Sequence, residues 1–324
     1  MNTDKVQVLQ KNNIPFEENV DLKKKTWIHR GGIAKLFIVP SNIEELQDCI
    51  RFMYKLKQDF LLIGHTSNLY IHNDCNIEVV IATSHCNSFS VKEGLVECDC
   101  GAAVSKVAKA SIAEGFQGME YLTTLPGTIA AAIHNNSTVK ESKVAELLVD
   151  LDFIDENGHL RVLKPEDLKF SFRNSALKSS ELRGVILKVR LQLQKGNVEQ
   201  LSDIARRNEE RRKQTLEGPV QNLGCTVNRT FSLGKMPRKY ELPLNIYSRL
   251  IPFFVPKEKQ KAKIKSFILR ISGYKELAPY ISDKQMITFI WKDENADKLF
   301  PRYLQFMKDV YRTDKVEIEE ITKN

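Results

Sequence analysis

Hydrophobic residues in the first part of the chain follow two alternating spacings. Residues 35–39, which are apolar after Lys35, and residues 60–63 are runs of strand length, whereas apolar residues within 43–56 recur every three or four positions, as on one face of a helix. Ser41-Asn42, followed by two glutamates, is typical of a helix N-terminus. The pattern therefore predicts a strand–helix–strand unit with parallel strands, and a turn over residues 64–68 where the second strand ends.

Strand patterns dominate the middle of the chain. They occur over residues 79–82, 89–91, 95–101, 144–154, 160–163 and 184–193. Asn157-Gly158 lies between two of these segments and is a hairpin signal. A helix with one apolar face is predicted over residues 102–114. Mixed sheets with separate helices indicate an α+β fold.

A change of composition at residues 194–197 predicts a domain boundary, because glycine and polar residues there precede a charged helix over 198–214. Lysines recur through residues 257–265, and we expect them to form the exposed face of a further helix. A last helix over 296–311 and an alternating strand over 315–321 complete the pattern.

Chain length and net charge limit the number of domains and the partners that we expect. The chain has 324 residues, 42% of them hydrophobic, which is enough for two or three domains with their own cores. The formal net charge is +8. The densest basic cluster, residues 206–213, mixes arginines with glutamates, as on a solvated helix face. It lacks the interleaved aromatic residues of a nucleic-acid surface. We therefore do not expect nucleic acid as a partner.

Targeting signals and metal-binding patterns are not evident in the sequence. The chain starts MNTDKVQ, without an apolar core of signal-peptide length, and no later run is long enough to cross a bilayer. We expect a cytoplasmic protein without a membrane span. Six scattered cysteines without a Cys-x-x-Cys pair favour free thiols over a metal site. The oligomeric state does not follow from the sequence, and a monomer is the expectation.

Two turn segments carry groups suited to phosphate binding. They comprise Gly64, His65, Thr66, Ser67 and Asn68, which precede Leu69, and Leu125, Pro126, Gly127 and Thr128, which precede three alanines. Glycine lets the backbone bend and expose its N–H groups to an anion. Pro126 suits the first turn of a helix, and Thr128 offers a hydroxyl there. Two such turns favour a dinucleotide cofactor. The alternative for the second segment is a small-residue helix packed tightly on a sheet.

The order and spacing of three motifs resemble those of the UDP-N-acetylenolpyruvoylglucosamine reductases. The motifs are Gly64-x-x-Ser67-Asn68-Leu69, Gly118-Met119-Glu120-Tyr121-Leu122 leading into Leu125-Pro126-Gly127-Thr128, and Phe172-Arg173-Asn174-Ser175. The resemblance runs from about residue 26 to residue 193 and returns in patches afterwards. It implies a bacterial flavoenzyme of peptidoglycan precursor synthesis. The implied fold is a two-subdomain FAD-binding module of the vanillyl-alcohol-oxidase (PCMH) type, followed by a smaller α+β substrate-binding domain.

The resemblance also implies domain limits and cofactors. Residues 1–77 would form the first FAD-binding subdomain, and residues 78–195 would form the second. Residues 196–314 would form the substrate-binding domain, and strand 315–324 can return to the first subdomain. FAD is the implied bound cofactor and NADPH the reductant. The implied FAD contacts are Gly64, His65, Thr66, Ser67, Asn68, Leu69, Leu125, Pro126, Gly127, Thr128, Ala131, Asn136 and Ile186.

The implied reaction reduces the enolpyruvyl group of a UDP-sugar to a lactyl ether, which needs a cation for the substrate carboxylate and an acid for one carbon. Arg173 matches the family's active-site arginine, and a guanidinium can donate two parallel hydrogen bonds to a carboxylate. Cys225 stands where the family has its proton-donating serine, and a thiol is the stronger acid. Glu319 fits the family's C-terminal glutamate, with Glu317 on the same strand face. Each residue also has a structural alternative. Arg173 could form a surface ion pair, Cys225 could be a small buried residue, and Glu319 could lie on the solvent-exposed face of a strand.

Several motif positions depart from the family pattern. Ala130-Ala131 replaces a glycine pair, and His65-Thr66 adds side chains that can crowd a pyrophosphate. Asn228-Arg229-Thr230 replaces most of a Phe-Lys-Asn-Pro segment, and residues 282–289 lack the family's histidine and asparagine. Two further hypotheses therefore stay open. One is a paralogue acting on another nucleotide-linked sugar, for example in surface polysaccharide synthesis, and the other is a flavin-binding protein without turnover.

Overall fold

The structure is a computed structural model that describes residues 2–218, 220–227, 236–313 and 315–323. Its α-helices are α1 (Asn2–Lys11), α2 (Ile43–Lys55), α3 (Val104–Ala113), α4 (Ile129–His134), α5 (Val144–Leu147), α6 (Val198–Thr215), α7 (Arg238–Leu250), α8 (Lys257–Ile271) and α9 (Asn295–Tyr311). Its strands are β1 (Phe16–Asp21), β2 (Ile33–Ile38), β3 (Leu61–Ile63), β4 (Leu69–Ile71), β5 (Asn76–Ala82), β6 (Phe89–Lys92), β7 (Leu95–Asp99), β8 (Phe116–Gln117), β9 (Thr138–Val139), β10 (Ser142–Lys143), β11 (Leu148–Asp155), β12 (Leu160–Leu163), β13 (Gly184–Gln192), β14 (Gln194–Lys195) and β15 (Glu319–Ile321). The α+β fold class is confirmed.

The chain folds into two compact units. The first comprises Met1–Leu22, Gly32–Thr66 and Asn76–Glu210, and the second comprises Lys23–Gly31, Ser67–Cys75 and Arg211–Asn324. The division into three domains stays a prediction. Among the described residues, no helix combines the length and the apolar character that a bilayer crossing requires.

A four-stranded sheet in the order β1-β2-β5-β3 forms one part of the first unit. Strands β2 and β3 both run parallel to β5, which lies between them, so the predicted strand–helix–strand unit has its strands parallel but not adjacent. Residues 79–82 of β5 are all buried, which suits a central strand covered on both faces. Helix α2 begins as predicted, because the side chain of Asn42 accepts a hydrogen bond of 2.8 Å from the N–H of Glu45.

An antiparallel five-stranded sheet, in the order β12-β11-β13-β7-β6, forms the other part of the first unit. The predicted hairpin is present, with Gly158 at φ 81° between β11 and β12. Residues 144–147 were expected to begin a strand but form the short helix α5, because Ala145, Glu146 and Leu147 favour helix. Ala130 of α4 packs against both apolar clusters of this unit. Its small side chain lets α4 approach both of them closely.

Aromatic residues fill the core of the second unit. Phe289 lies with its ring centroid 4.9 Å from that of Trp291 and 5.3 Å from that of Phe300, and all three side chains are buried. Strand β15 runs parallel to β4, a strand within residues 1–77. The strand predicted over 315–321 is shorter than expected, since Val316 forms only an isolated bridge with Val227.

Lys265 departs from the predicted exposed face of α8. It is only 6% exposed, and its ammonium donates hydrogen bonds to the carbonyl oxygens of Ala278 at 2.8 Å and Ile281 at 2.6 Å. It also forms an ion pair with Asp283. A buried ammonium is tolerated where such acceptors surround it. Lys265 therefore fastens α8 to the segment that follows it.

Candidate functional site

The two predicted phosphate turns meet in the first unit. Gly64 follows β3, and a Cβ atom placed on it would lie 2.8 Å from Cγ2 and 3.1 Å from Oγ1 of Thr128. Thr128 in turn caps α4, because its Oγ1 accepts a hydrogen bond of 3.3 Å from the N–H of Ala131. Glycine at position 64 is thus what permits the contact between the two turns.

Hydrogen-bonding groups without protein partners cluster along these turns. Within the described part of the chain, the backbone N–H groups of His65, Gly127 and Thr128 donate to no protein acceptor. The hydroxyl Oγ1 of Thr124 is buried, also without a partner among the described residues. A buried hydroxyl normally has a partner, and backbone N–H groups on such turns can bind an anion, so the Thr124 hydroxyl and the three amides fit a bound anionic group such as a pyrophosphate. Thr124 was not predicted, although it lies directly before Leu125.

Electrostatics at the first turn favour an anion. Partial desolvation, and then the charge of nearby Lys106, lower the pKa of the His65 imidazole below its ordinary 6.5. The shift favours the neutral imidazole, and the positive charge near it comes from Lys106 of α3. Nothing in the sequence pattern had singled out Lys106.

Pro126 does not take the predicted place in the first turn of a helix. The preceding short helical turn ends where the N–H of Leu125 donates to the carbonyl of Leu122 at 2.9 Å. Gly127 then adopts a φ of 107°, a conformation that favours glycine, and α4 begins only after Thr128. The Thr128 hydroxyl lies beside a helix N–H group as predicted, whereas the predicted helical position of Pro126 is wrong, because the glycine interrupts the helical path between them. The FAD contacts of both residues stay predictions.

The other predicted cofactor residues of the first unit lie around α4. Leu125 and Ile186 contribute to the apolar cluster beside the helix, and Ala131 is exposed in its first turn. Asn136 follows the helix at φ 44°, and its Nδ2 donates a hydrogen bond of 2.7 Å to the carbonyl of Ser171. Asn136 thus connects α4 with the turn that carries Arg173.

Arg173 lies at the tip of a tight turn. The N–H of Ser171 donates to the carbonyl of Asn174 and the N–H of Asn174 to the carbonyl of Ser171, both at 3.1 Å. Arg173 has a φ of 54°, unusual for a residue other than glycine, and its side chain is half-buried. The hydroxyl of Ser175 donates to the carbonyl of His134 at 2.7 Å and fixes the turn to the end of α4. Strained backbone held in this way is common at functional sites.

Cys225 lies between two segments of the second unit. On one side the N–H of Thr226 donates to the carbonyl of Ile287 at 2.8 Å, and on the other the N–H of Glu317 donates to the carbonyl of Thr226 at 2.9 Å. The half-buried Cys225 thiol donates to Oε1 of Gln285 across 3.7 Å. The structure therefore places the predicted acid next to the C-terminal segment. Residues 228–230, which were compared with the family motif, lie outside the described residues.

Glu319 lies beside the end of the first turn. Its N–H donates to the carbonyl of Asn68 at 2.8 Å, and the Nδ2 of Asn68 donates to the carbonyl of Glu317 at 3.2 Å. Glu319 also pairs with Leu69 in the parallel bridge between β15 and β4. Ile318 is buried and the two glutamates are half-buried, so Glu317 and Glu319 share the opposite side of the segment, as predicted.

The predicted residues are distributed over both units. Gly64 to Thr66 and Arg173 belong to the first unit, whereas Ser67 to Leu69, Cys225 and Glu319 belong to the second. Within the first unit the structure brings Gly64 to Thr128, and Asn136 to the turn of Arg173. Within the second it brings Asn68 to Glu319, and the Cys225 segment to the segment of the glutamates.

Two polar residues near Cys225 were not predicted. Gln285 belongs to a turn fixed by the buried hydroxyl of Ser282, which accepts the N–H of Gln285 at 2.9 Å. Arg212 is half-buried near the end of α6, where its charge interacts with Cys225. Burial, followed by the charge of Arg211, lowers the pKa of the Arg212 guanidinium. No sequence pattern distinguishes Arg212 within its basic run, since only packing separates one half-buried arginine from its exposed neighbours.

Comparisons with known proteins show which proteins this chain resembles. Residues 34–164 match the family model of an FAD binding domain. A UDP-N-acetylenolpyruvoylglucosamine reductase of Caldicellulosiruptor saccharolyticus is 29% identical over 213 residues, which are 66% of this chain and 68% of that protein. One of Caldanaerobacter subterraneus subsp. tengcongensis is 26% identical over 211 residues, or 65% and 69% of the two chains.

A solved structure shares the fold over nearly the whole chain. The crystal structure of UDP-N-acetylenolpyruvylglucosamine reductase from Thermus caldophilus matches with a TM-score of 0.67 and 18% identity, covering 95% of this chain and 100% of that one. The predicted type of FAD-binding fold is confirmed. FAD binding also agrees with the orphaned donors around Gly64 and Thr128.

Proposed function

We propose that this chain, an FAD-dependent oxidoreductase related to the UDP-N-acetylenolpyruvoylglucosamine reductases, uses NADPH to reduce the enolpyruvyl group of a UDP-sugar to the lactyl ether. One observation supports this reaction most directly. Cys225 and the C-terminal glutamates lie on neighbouring segments of the second unit, joined by the hydrogen bond of 2.9 Å from Glu317 to Thr226. We further propose a cytoplasmic enzyme that acts in peptidoglycan precursor synthesis.

The first part of the proposal concerns the cofactor. The turns over residues 64–69 and 125–128 would hold FAD, together with Ala131, Asn136 and Ile186. When bound, FAD supplies hydride transfer from NADPH to a substrate carbon. The orphaned N–H groups of His65, Gly127 and Thr128 and the charge of Lys106 would neutralise its pyrophosphate.

Arg173 would bind the substrate carboxylate. Its guanidinium stays charged at any physiological pH and can donate two parallel hydrogen bonds to a carboxylate. The turn that carries it is held by the mutual bonds of Ser171 and Asn174 and by the bond from Asn136. The backbone beneath the guanidinium is therefore fixed before substrate arrives, which lowers the entropic cost of binding.

Cys225 would deliver the proton that completes the reduction. As hydride is added to one carbon of the enolpyruvyl double bond, the S–H bond of Cys225 breaks and its proton goes to the other carbon. The thiolate that remains is stabilised by the positive charge of Arg212 and is reprotonated from water. The hydrogen bond to Gln285 would orient the thiol, and Glu319 would orient the substrate or a water beside it.

The experiment that tests this function separates the two half-reactions anaerobically. Protein with FAD bound is mixed with NADPH, and loss of the yellow absorbance is followed. UDP-N-acetylglucosamine enolpyruvate is then added, and recovery of the colour is followed. We expect Cys225→Ser to perform both steps, because a hydroxyl can also give a proton. Cys225→Ala should lose recovery while keeping bleaching. Normal recovery in Cys225→Ala would refute the assignment of the acid.

Arg173→Ala has a matched control in the same stretch of chain. Arg183→Ala removes an arginine whose side chain is 70% exposed. We expect Arg173→Ala to slow recovery of the colour by at least about a hundredfold, because a buried charged hydrogen bond to substrate is lost, and Arg183→Ala to have no effect. Bleaching without recovery in the unmodified protein would instead favour a paralogue with another acceptor. Bound flavin that NADPH cannot bleach would favour a protein without turnover.

A further inference from the structure

Helix α7 is attached to the second unit by one of its sides. Tyr240 and Leu244 pack against the aromatic core, and the ring of Tyr247 stacks on Phe267 of α8, with centroids 4.1 Å apart and an interplanar angle of 6°. None of the residues of α7, all of which are described, is fully buried. The position of the helix is thus defined, while much of its surface faces solvent.

The other side of α7 is also apolar. Leu242, Ile246 and Leu250 follow one another at intervals of four residues and so share one face of the helix, where they are 64%, 53% and 52% exposed. Phe253 and Phe254 follow in the next turn at 80% and 82% exposure. We call these five residues the apolar ridge. A solvent-facing side of a helix is normally polar, and an exposed apolar surface of this length indicates an interaction site.

Basic residues flank the apolar ridge in the sequence. Between residues 238 and 265 the sequence has eight lysines and arginines but only two acidic residues, a net charge of +6 out of +8 for the whole chain. Lys265 is buried, and the other basic residues are all exposed: Arg238, Lys239, Arg249, Lys257, Lys259, Lys261 and Lys263. The stretch of chain that carries the apolar ridge therefore also carries seven exposed basic residues and only two acidic ones.

We propose that the apolar ridge is a docking surface for anionic phospholipid membranes. Leucine, isoleucine and phenylalanine side chains gain free energy when they enter the boundary between headgroups and acyl chains. Lysines and arginines beside them are attracted by the negative surface potential of anionic lipids. Both requirements of an interfacial helix are met in one stretch of 28 residues, from Arg238 to Lys265.

Charge argues against the other occupants of such a surface. A second copy of the chain would bring one stretch with an exposed net charge of +5, Lys265 being buried, against another, and like charges oppose association. Nucleic acid would satisfy the lysines but leave the exposed leucine, isoleucine and phenylalanine side chains without apolar contact. A membrane of negative charge satisfies both sets of side chains. Docking of this kind requires no membrane-spanning helix.

Cosedimentation with phospholipid vesicles tests this proposal on the full chain. One set of vesicles contains phosphatidylcholine with about a third phosphatidylglycerol, and the other contains phosphatidylcholine alone. We expect the protein to sediment with the anionic vesicles at about 0.05 M NaCl, and much less at 0.5 M, where the Debye length is shorter. It should stay in solution with the neutral vesicles.

The decisive variant is Phe253→Ser combined with Phe254→Ser. Because both rings are exposed, folding and FAD content should not change, while the partition coefficient falls by at least about tenfold. The matched control is Leu160→Ser with Val162→Ser, since these side chains are 50% and 61% exposed on β12 and should not affect sedimentation.

Three results would overturn the proposal. The first is the absence of sedimentation with anionic vesicles at low salt. The second is equal sedimentation of the double phenylalanine variant, which would leave only non-specific attraction of a basic protein. The third is a dimer in light scattering that the phenylalanine substitutions abolish, because the apolar ridge would then bind a second copy.

Discussion

Replacing Gly64 by alanine perturbs the contact between the two turns of the first unit. The new Cβ would lie 2.8 Å from Cγ2 of Thr128, whereas carbon atoms in good contact are about 3.5–4.0 Å apart. One of the turns must therefore move by roughly 0.7 Å or more. Gly64 itself does not have a positive φ, so the expected effect comes from this collision and not from backbone strain.

The cost has two parts. Overpacking of this kind typically costs about 1–3 kcal/mol. If Thr128 rotates to avoid the methyl group, its hydroxyl no longer accepts the N–H of Ala131, and the lost helix cap costs about 1 kcal/mol more. Because the orphaned N–H groups lie on these same turns, we also expect the affinity for FAD to fall by about tenfold or more.

Urea unfolding of the apoprotein measures the first effect, and fluorescence titration with FAD measures the second. Thr128→Ser removes Cγ2 but keeps the capping hydroxyl, so the double variant Gly64→Ala with Thr128→Ser should recover most of both losses. Gly218→Ala is the matched control, because a Cβ there would meet no atom within 4 Å. If Gly64→Ala unfolds and binds FAD like the unmodified protein, or if Thr128→Ser brings no recovery, the reasoning is wrong.

Three further outcomes are expected. Burial raises the pKa of Cys49 from 9.0 to about 12, so at pH 8 its thiolate fraction is about a thousandfold lower than that of an ordinary cysteine. Mass spectrometry should therefore find iodoacetamide first on the half-buried Cys225. Early modification of Cys49 would contradict this. Lys265→Met should lower the free energy of unfolding by about 3 kcal/mol, because two buried carbonyl oxygens lose their donor, while exposed Lys263→Met changes it little. Gln285→Leu should slow colour recovery by roughly tenfold and spare bleaching, since only the thiol loses its acceptor; equal loss in both steps would indicate a structural role instead.

The sequence predicted helix starts and turns correctly where the side chain or backbone of a single residue determines the local conformation. Asn42 marked the start of α2, Gly158 marked the hairpin, and Thr128 marked the cap of α4. Each acts on its own neighbours within a few residues, so the sequence pattern contains the whole cause. Gly127 is the exception, because its positive φ displaced the helix start that Pro126 had suggested.

Non-local features were beyond the sequence pattern. Strand β5 lies between β2 and β3 because it is covered on both faces and suits the centre of the sheet. The spacing of hydrophobic residues does not specify the order of strands in a sheet. Burial of Lys265 and Arg212 depends on acceptors and charges that lie far away in the chain. The assignments of Arg173, Cys225 and Glu319 came from the resemblance to a family, and they stay predictions until the two half-reactions have been measured.

Pairing between β4 and β15 has a consequence for synthesis of the protein. Asn68 accepts the N–H of Glu319 and donates to the carbonyl of Glu317, although about 250 residues of chain separate them. A growing chain on the ribosome has made the glycine turn long before it has made the strand that holds Asn68. With Asn68 in the proposed FAD site, we expect stable flavin loading to follow translation of β15.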